Sequence, residues 1–222
     1  MNLRITCDFD GTITTKDTVN ALLAAYALPA WLDIEEEWCA GRIGSRECLA
    51  KQTELLRLRP EVLDAYLDAV ETDPMAAAFF AACAARGYAV SVVSDGYDWA
   101  IRRVLAKAGV KGAPIVANRL VHRGDDRWVV RFPFSAPGCG SGVCKCRASE
   151  ARQLRVHIGD GRSDFCAAEH ADLVFAKGQL LDHMTSLGIA VVPFSTFSDI
   201  IDRLDHVPAM LEAAAAASQR TA

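Results

Sequence analysis

The sequence has no long apolar run and no excess of positive charge. No apolar run approaches the roughly 18 residues that a membrane span needs. The chain runs directly into Ile5-Thr6-Cys7, without the basic and apolar stretches of a secretion signal. The formal net charge is −4, which argues against a surface that follows nucleic-acid phosphates. We therefore expect a cytoplasmic protein whose partners include neither a membrane nor a nucleic acid.

Cysteines are too few for a disulfide scaffold, because only eight are spread over 222 residues. Reduced thiols that act as small apolar side chains are the favoured interpretation. Cys139, Cys144 and Cys146 lack paired Cys-x-x-Cys spacing, and no histidine follows them closely, so zinc is not favoured. Whether these three have a role beyond structure is left open. The histidines have no ligand spacing, and none is given a catalytic role: His122, His157, His170, His183 and His206.

Apolar residues make up 51% of the chain, enough for one core or for one core with an inserted unit. Short β-branched runs alternate with helical patterns, which predicts an α/β fold with a parallel sheet flanked by helices. Strands are predicted at 3–7, 88–93, 155–158, 173–176 and 189–192. A β-hairpin is predicted over 115–132, around Gly124-Asp125-Asp126.

The stretch 17–71 has apolar residues at helical spacing and no convincing strand. It is predicted to be a helical insert, which divides the chain into a core of residues 1–16 and 72–222 and an insert of residues 17–71. Asp73-Pro74 is predicted to open the next helix, and Gly87 to close it. An alanine-rich helix is predicted from Pro208 onwards.

Two aspartates directly follow the first predicted strand. Alternation along an extended chain points Asp8 and Asp10 the same way, so their charges repel unless a cation offsets them. Mg²⁺ prefers oxygen ligands and would do this. One carboxylate could then attack phosphorus while the other stays protonated and donates to the leaving oxygen. An acidic turn at a strand end is the alternative, and this motif alone does not decide between them.

Three further segments carry groups suited to the same chemistry. The hydroxyl of Ser94, with the Asp95 and Gly96 amides, could bind a phosphoryl group, although a helix cap is the simpler interpretation. Asp160 could complete a metal's ligand set, and Asp164 could orient it from behind. Lys145 could neutralise phosphate, although an isolated lysine is ordinarily a surface residue. Because the carboxyl ends of parallel strands meet at one edge, these segments are expected to converge.

Taken in order, the four segments resemble the four motifs of the haloacid dehalogenase superfamily. Asp8-Phe9-Asp10-Gly11-Thr12 resembles the first motif, Ser94 the second, Lys145 the third, and the segment from Asp160 to Asp164 the fourth. The resemblance implies a Rossmann-like core and an Mg²⁺-dependent aspartyl-phosphate mechanism.

The resemblance also implies a role for each of these residues. Asp8 attacks phosphorus, Asp10 acts as acid and then as base, and Ser94 and Lys145 hold the phosphate. Asp8, the backbone carbonyl of Asp10 and Asp160 are the implied metal ligands. The substrate is expected to be a small phosphorylated metabolite.

The helical insert resembles the cap of the phosphoserine-phosphatase-like branch, and within it the phosphatases of methionine salvage. This likeness is carried by Cys7 to Thr14, the hairpin before Lys145, Cys144-Lys145, 174–177 and 193–197. Phosphoserine phosphatases tend to carry Glu where this chain has Asp17, which weakens that assignment. Cationic candidates for substrate contact, each alternatively a solvated charge, are Arg42, Arg46, Lys51 and Arg57.

Other functions fit the same motifs. A phosphotransferase or mutase would pass phosphate from Asp8 to an acceptor other than water. A phosphate-binding protein without activity is least favoured, because both motif aspartates are present. Apolar Trp128 and Phe132 on a predicted edge could pair with a second copy in a homodimer or pack under the cap.

Overall fold

The computed structural model describes residues 3–147 and 154–218. The strands in this part are β1 (Leu3–Cys7), β2 (Ala89–Tyr97), β3 (Ile115–His122), β4 (Trp128–Arg131), β5 (Leu154–Gly159), β6 (Leu173–Ala176) and β7 (Val192–Pro193). The helices are α1 (Thr18–Tyr26), α2 (Trp31–Cys39), α3 (Ser45–Thr53), α4 (Pro60–Asp68), α5 (Ala76–Ala85), α6 (Asp98–Lys107), α7 (Phe165–Glu169), α8 (Gly178–Ser186), α9 (Phe197–Ile201) and α10 (Val207–Ser218). Short 3₁₀ turns lie at Lys145–Arg147, Arg162–Asp164 and Leu204–His206. Residues 1–2, 148–153 and 219–222 of the predicted core lie outside the described residues.

The described strands form one sheet in the order β4-β3-β2-β1-β5-β6-β7. Every neighbouring pair is parallel except β3 and β4, which form the predicted hairpin. Strand β1 therefore lies between β2 and β5. Strands β2 to β4 follow on one side of it, and strands β5 to β7 on the other. This arrangement brings the three motif-bearing strand ends side by side, and the predicted α/β fold is confirmed.

The core lies between the sheet and its flanking helices. Ile5, which is 1% exposed, stands opposite Val90 of β2 and Val156 of β5. Phe79 of α5 stacks on Phe197 of α9, with ring centroids 4.8 Å apart. Burial of such side chains contributes about 1.5–3 kcal/mol each, and it fixes the sheet that carries the motif loops.

Helices α1 to α4 occupy the predicted insert, which we call the cap segment (residues 17–71). Asp17 caps α1, since its Oδ1 accepts a hydrogen bond from the Asn20 amide at 2.8 Å. The segment leaves and rejoins the rest of the chain side by side, because Thr14 and Thr72 form an isolated antiparallel bridge. Its helical character is confirmed, while the division into two domains stays a prediction.

Two predicted element ends are wrong, for reasons of tertiary contact. Strand β2 does not stop at Val93 but continues, with a register shift, to Tyr97, which pairs with Asn118. Helix α5 does not begin at Pro74. The Asp73 carboxylate accepts hydrogen bonds from the amides of Met75 (2.8 Å) and Phe197 (2.9 Å), so it holds a turn and α9 instead of starting the helix.

The last strand is also displaced from its prediction, because Ile189 donates to Met184 at 3.0 Å and completes the end of α8. In the hairpin, Trp128 is 2% exposed, donates to the Leu58 carbonyl at 2.8 Å and packs edge-on against Trp99. The Trp128 side chain therefore packs under the cap segment, while β4 is an edge strand of the described sheet and the pairing with a second copy stays a prediction. None of the helices in the described ranges has both the length and the apolar character needed to cross a membrane.

Candidate active site

The carboxyl ends of β1, β2 and β5 form the floor of a cavity of about 790 Å³. The cap segment covers it with side chains of α2 and α3. Core residues that line it are Asp8, Asp10, Gly11, Thr15, Lys16, Ser94, Asp95, Gly96, Asp160, Gly161, Arg162, Ser163, Gly178 and Gln179. Cap-segment residues that line it are Asp17, Val19, Asn20, Glu35, Trp38, Cys39, Ser45, Leu49 and Gln52. The structure therefore brings the first, second and fourth predicted motifs to one cavity, and Lys145 of the third motif contacts Asp8 on the floor of that cavity.

Asp8 continues β1, and its amide donates to the Ile158 carbonyl at 2.9 Å. Its carboxyl group is buried, and Oδ1 accepts a hydrogen bond from Lys145 Nζ at 2.7 Å. Burial and the nearby Asp164 charge raise the pKa of Asp8, while Lys145 acts in the opposite direction. A further cation beside Asp8 would favour the charged form that a nucleophile requires.

The loop after Asp8 is a tight turn. The amides of Ile13 and Thr14 both donate to the Phe9 carbonyl, at 2.9 and 3.0 Å. Gly11 has a φ of +73° in this turn, and a Cβ atom on it would lie 2.3 Å from Asp160 Oδ2. The position therefore requires glycine both for its backbone angle and for its closeness to Asp160.

Asp10 faces the cavity from the same turn. Its Oδ1 accepts hydrogen bonds from the Thr18 amide at 2.9 Å and from the Thr18 hydroxyl. Burial, followed by the charge of Asp17, raises the pKa of Asp10 to about 7, against the effect of the Thr18 hydrogen bonds. A carboxyl group with this pKa can hold a proton and release it near neutral pH, as general acid–base catalysis requires.

Lys145 lies on the 3₁₀ turn Lys145–Arg147 and is not a surface residue. Its Nζ contacts Asp8 Oδ1 and Asp164 Oδ1 at 2.7 Å each, and Ser163 Oγ at 3.0 Å. Burial lowers the pKa of Lys145, but the charges of Asp164 and Asp8 outweigh it and hold the pKa above its usual range. The ammonium therefore stays charged at the site.

Asp160 and Asp164 come from the loop after β5. Asp160 Oδ1 accepts a hydrogen bond from the Thr12 hydroxyl at 2.6 Å, which joins the first and fourth motifs. Burial raises the pKa of Asp160. Asp164 is fully buried, and its Oδ2 accepts the amides of Asp160 and Gly161 at 3.2 Å each. Although burial opposes it, the Lys145 charge holds the pKa of Asp164 below its usual value.

These carboxylates fit a divalent cation. One oxygen each from Asp8, Asp160 and Asp164 lie within 4.8 Å of one another. Oxygen donors of this kind are the ligands that Mg²⁺ prefers. Burial also raises the pKa of two members, Asp8 and Asp160, as expected for acids that are held together away from water. The predicted ligand role of the Asp10 carbonyl and the outer position of Asp164 stay predictions.

Ser94, Asp95 and Gly96 lie in the irregular end of β2. The Gly96 amide donates to Ser94 Oγ at 2.9 Å, and a Cβ atom on Gly96 would lie 2.5 Å from Asp10 Oδ2. The Asp95 carboxylate accepts the Val143 amide at 2.8 Å and the Ser45 hydroxyl. It thus holds the loop that leads to Lys145 and one cap helix, while the predicted phosphate contacts of the triplet stay predictions.

His157 was missed by the search for histidine pairs. It is 1% exposed on β5, with Nε2 3.0 Å from Asp164 Oδ1 and Nδ1 2.9 Å from Thr6 Oγ1. It is not one of the residues that line the cavity, and it instead orients Asp164. The signal in the sequence was a histidine at alternate spacing in a buried strand, followed by a carboxylate seven residues later.

The prediction for cationic cap residues is not supported by their positions. None of Arg42, Arg46, Lys51 and Arg57 lines the cavity. Lys51 forms an ion pair with Glu47 at 2.7 Å on the surface, as expected for a solvated helix charge. The cations that line it are Lys16 and Arg162, next to the first and in the fourth motif. The search among the cap helices could not find them, because neither residue lies in the cap segment.

Arg162 joins the core to the cap segment. Its Nη1 donates to the carbonyls of Trp38 (3.2 Å) and Cys39 (2.9 Å) at the end of α2. Its guanidinium also lies 5.5 Å from the centre of the Trp38 ring. Because Arg162 Nη1 is already bonded to the cap segment, only part of the guanidinium group can donate to a ligand in the cavity.

Comparison with known proteins agrees with this geometry. Residues 5–169 match the model of the haloacid dehalogenase-like hydrolase family. The chain belongs to this family. A 2-hydroxy-3-keto-5-methylthiopentenyl-1-phosphate phosphatase of Brevibacillus brevis is 31% identical over 212 residues, covering 90% of this chain and 94% of that protein. One of the same name from Geobacillus kaustophilus is 31% identical over 210 residues, with the same coverage.

Among solved structures, a substrate-bound phosphoserine phosphatase aligns with this haloacid dehalogenase-like chain at a TM-score of 0.65. It is 20% identical and covers 91% of this chain and 98% of that one, a likeness that concerns the fold. The predicted family and the predicted reaction class, hydrolysis of a phosphoric monoester, are both confirmed by these matches.

Proposed function

We propose that this haloacid dehalogenase-like phosphatase is Mg²⁺-dependent and works through a phosphorylated Asp8. The observation that carries the proposal is the acid cluster at the floor of the cavity, in which Lys145 Nζ contacts the buried carboxylates of Asp8 and Asp164 and Asp160 lies beside them. Asp10, with its pKa raised to about 7, stands at the same cavity as the proton donor.

The proposed reaction has two steps. A carboxylate oxygen of Asp8 attacks phosphorus, the bond to the ester oxygen breaks, and Asp10 gives that oxygen its proton. Asp10 then takes a proton from a water molecule that attacks the phosphoryl group, which releases inorganic phosphate and restores Asp8. Lys145 keeps Asp8 oriented, and the hydroxyl of Ser94 holds a phosphoryl oxygen.

A Mg²⁺ ion held by Asp8 and Asp160, with Asp164 beside them, would supply positive charge to the phosphoryl oxygens. The chain contributes the fixed positions of these acids. Thr12 holds Asp160, and His157 and Lys145 hold Asp164. Because these acids are already oriented, the entropic cost of bringing the reacting groups into position is smaller.

For the substrate, we favour an ester whose distal part is uncharged, as in the methionine-salvage ester that the relatives' name describes. Val19, Trp38 and Leu49 give the cavity an apolar wall, and Asp17 and Glu35 add negative charge to it. A distal carboxylate such as that of phosphoserine would be repelled there. A hydroxy-keto chain with a methylthio end would meet hydrogen-bonding groups and apolar surface.

The test is release of inorganic phosphate from the methionine-salvage ester, phosphoserine and an aryl phosphate, with and without Mg²⁺. We expect Mg²⁺-dependent release, with the salvage ester at least tenfold above phosphoserine in kcat/KM. Preference for phosphoserine would contradict the substrate proposal. Transfer to an added alcohol in place of water would favour the phosphotransferase alternative.

Asp8→Asn tests the nucleophile. We expect a folded protein that releases phosphate at least about 10³-fold more slowly, because nucleophile removal abolishes the covalent step. Asp205→Asn is the matched control. It removes an exposed carboxylate paired with Arg86, outside the cavity, and should keep full activity. An Asp8→Asn protein with ordinary turnover would exclude Asp8 as the nucleophile.

A further inference from the structure

Three thiols form a chain beside the catalytic lysine. Cys146 Sγ lies 2.9 Å from Cys166 Sγ and 3.4 Å from Cys144 Sγ. Cys144 and Cys146 flank Lys145 directly in the sequence, whereas Cys166 lies in α7, two residues after Asp164. In the sequence Cys144 and Cys146 lie near Cys139, whereas Cys166 lies 20 residues beyond Cys146 and joins them only in the fold.

These sulfurs do not fit a metal site. In the described ranges, the cysteines form no group of three whose ligand atoms all lie within 4.8 Å of one another. A structural zinc site also needs four ligands arranged as a tetrahedron. A series of closely spaced thiols instead favours the formation of a disulfide.

We propose that Cys146 and Cys166 are an oxidation site, at which a reversible disulfide links the turn of Lys145 to the helix that follows Asp164. The present distance between the two sulfurs is within one ångström of the about 2.05 Å of a disulfide bond. Lys145 and Asp164 are already in contact at 2.7 Å, so the two segments need little movement to reach bonding distance.

The co-reactant is a peroxide or a small disulfide. Cys166 is exposed and is the thiol that meets it first, while burial raises the pKa of Cys146 and makes it the slower nucleophile. With hydrogen peroxide, the Cys166 thiolate attacks one oxygen, the O–O bond breaks, hydroxide leaves and a sulfenic acid forms. Cys146 then attacks that sulfur. The S–O bond breaks, and the hydroxyl group of the sulfenic acid takes the proton of the Cys146 thiol and leaves as water.

The bond would act on Lys145 through its neighbour in the chain. Closing the gap between the sulfurs draws Cys146 towards α7 by up to about an ångström. Lys145 Nζ must meet Asp8, Ser163 and Asp164 together, and a misplacement of this size can lower activity about 100-fold. We therefore expect the oxidised protein to lose at least tenfold in kcat/KM and to regain it on reduction.

The test treats the reduced full-length chain with hydrogen peroxide, blocks free thiols, and maps disulfide-linked peptides by mass spectrometry. Activity is measured on an aryl phosphate in parallel. We expect a Cys146–Cys166 link together with an activity loss that dithiothreitol reverses. Cys166→Ser should keep its activity and resist peroxide, whereas Cys144→Ser, the matched control, should respond like the unchanged chain.

Absence of the linked peptide, or a link that pairs Cys144 instead, would overturn the proposal. A complete link with full activity would overturn the action on Lys145. Only the activity measurement rests on the proposed function. Peptide mapping reports on the thiols even in a protein that hydrolyses no ester, so the two failures are distinguishable.

Discussion

Gly11 is the residue at which the smallest change should most disturb the site. A methyl group there would have to lie 2.3 Å from Asp160 Oδ2, and the φ of +73° disfavours any side chain. For Gly11→Ala we expect kcat/KM to fall by about 100-fold, because Asp160 must move by roughly an ångström. Steady-state kinetics over a range of Mg²⁺ concentrations would measure it.

Gly87→Ala is the control for this change. Its φ of +72° imposes the same backbone strain, about 1–2 kcal/mol, yet nothing lies within 4 Å of its Cβ position. It should lose stability like Gly11→Ala and keep its activity. Equal kinetic losses in both variants would mean that strain, and not the contact with Asp160, accounts for the effect.

At this scale the sequence predicted the acids well and their supports poorly. Asp8 and Asp10 follow a recognisable strand, so their common direction could be predicted. The environment of Asp164 could not, because His157 and Lys145 reach it from other parts of the chain. The pKa of Asp164 depends on those contacts, and they cannot be predicted from the spacing of nearby residues in the sequence.

Between elements, helix α3 meets the Lys145 loop through backbone atoms. The Arg46 amide donates to the Gly140 carbonyl at 3.0 Å, and a Cβ atom on Gly44 would lie 2.5 Å from that carbonyl oxygen. For Gly44→Ala we expect the cap segment to seat further from the core. Because water would enter the cavity, kcat/KM should fall at least tenfold while the free energy of unfolding changes by no more than about 1 kcal/mol.

Gly140→Ala is matched to it on the opposite side of the same contact. Its Cβ would lie 3.5 Å from the Gly44 Cα, an ordinary separation, so its kinetics should be close to those of the unchanged chain. Activity and chemical denaturation are measured on both. If Gly44→Ala behaved like its control, this contact would have no part in positioning the cap.

The elements themselves were largely predictable. Strand β2, helix α5 and strand β7 all have an end that was misplaced by two residues or more. For β7 the cause is local, because the Ile189 amide bonds to Met184 and completes the end of α8. For β2 and α5 the end is moved by a partner distant in the sequence, as Phe197 is for Asp73. Local propensity is a weak guide wherever such a tertiary contact competes with it.

Over the whole molecule, the strand order makes one site of groups that lie far apart in the chain. Asp8 and Lys145 are 137 residues apart and 2.7 Å from each other, because β1 lies between β2 and β5. In parallel sheets, ligands bind where the strand order reverses, as it does at β1. It could therefore be predicted that the motifs lie close together. The cap side chains that line the cavity could not be predicted, because helix phase alone does not fix the position of the cap over the sheet.

If the acid cluster holds Mg²⁺ as proposed, the stability of the whole fold should depend on this ion. An ion that binds the native cluster and not the unfolded chain should stabilise by about 2.7 kcal/mol at 100 times its Kd. For a domain of this size that raises the Tm by about 5–10 °C, measurable by calorimetry with Mg²⁺ or with a chelator.

In Asp160→Asn the rise in Tm on addition of Mg²⁺ should largely disappear, whereas Asp205→Asn should keep it. Since burial raises the pKa of Asp160, its charge disfavours the metal-free fold, so Asp160→Asn should not lower the Tm in chelator. An equal rise in Asp160→Asn and the unchanged chain would remove Asp160 from the metal site.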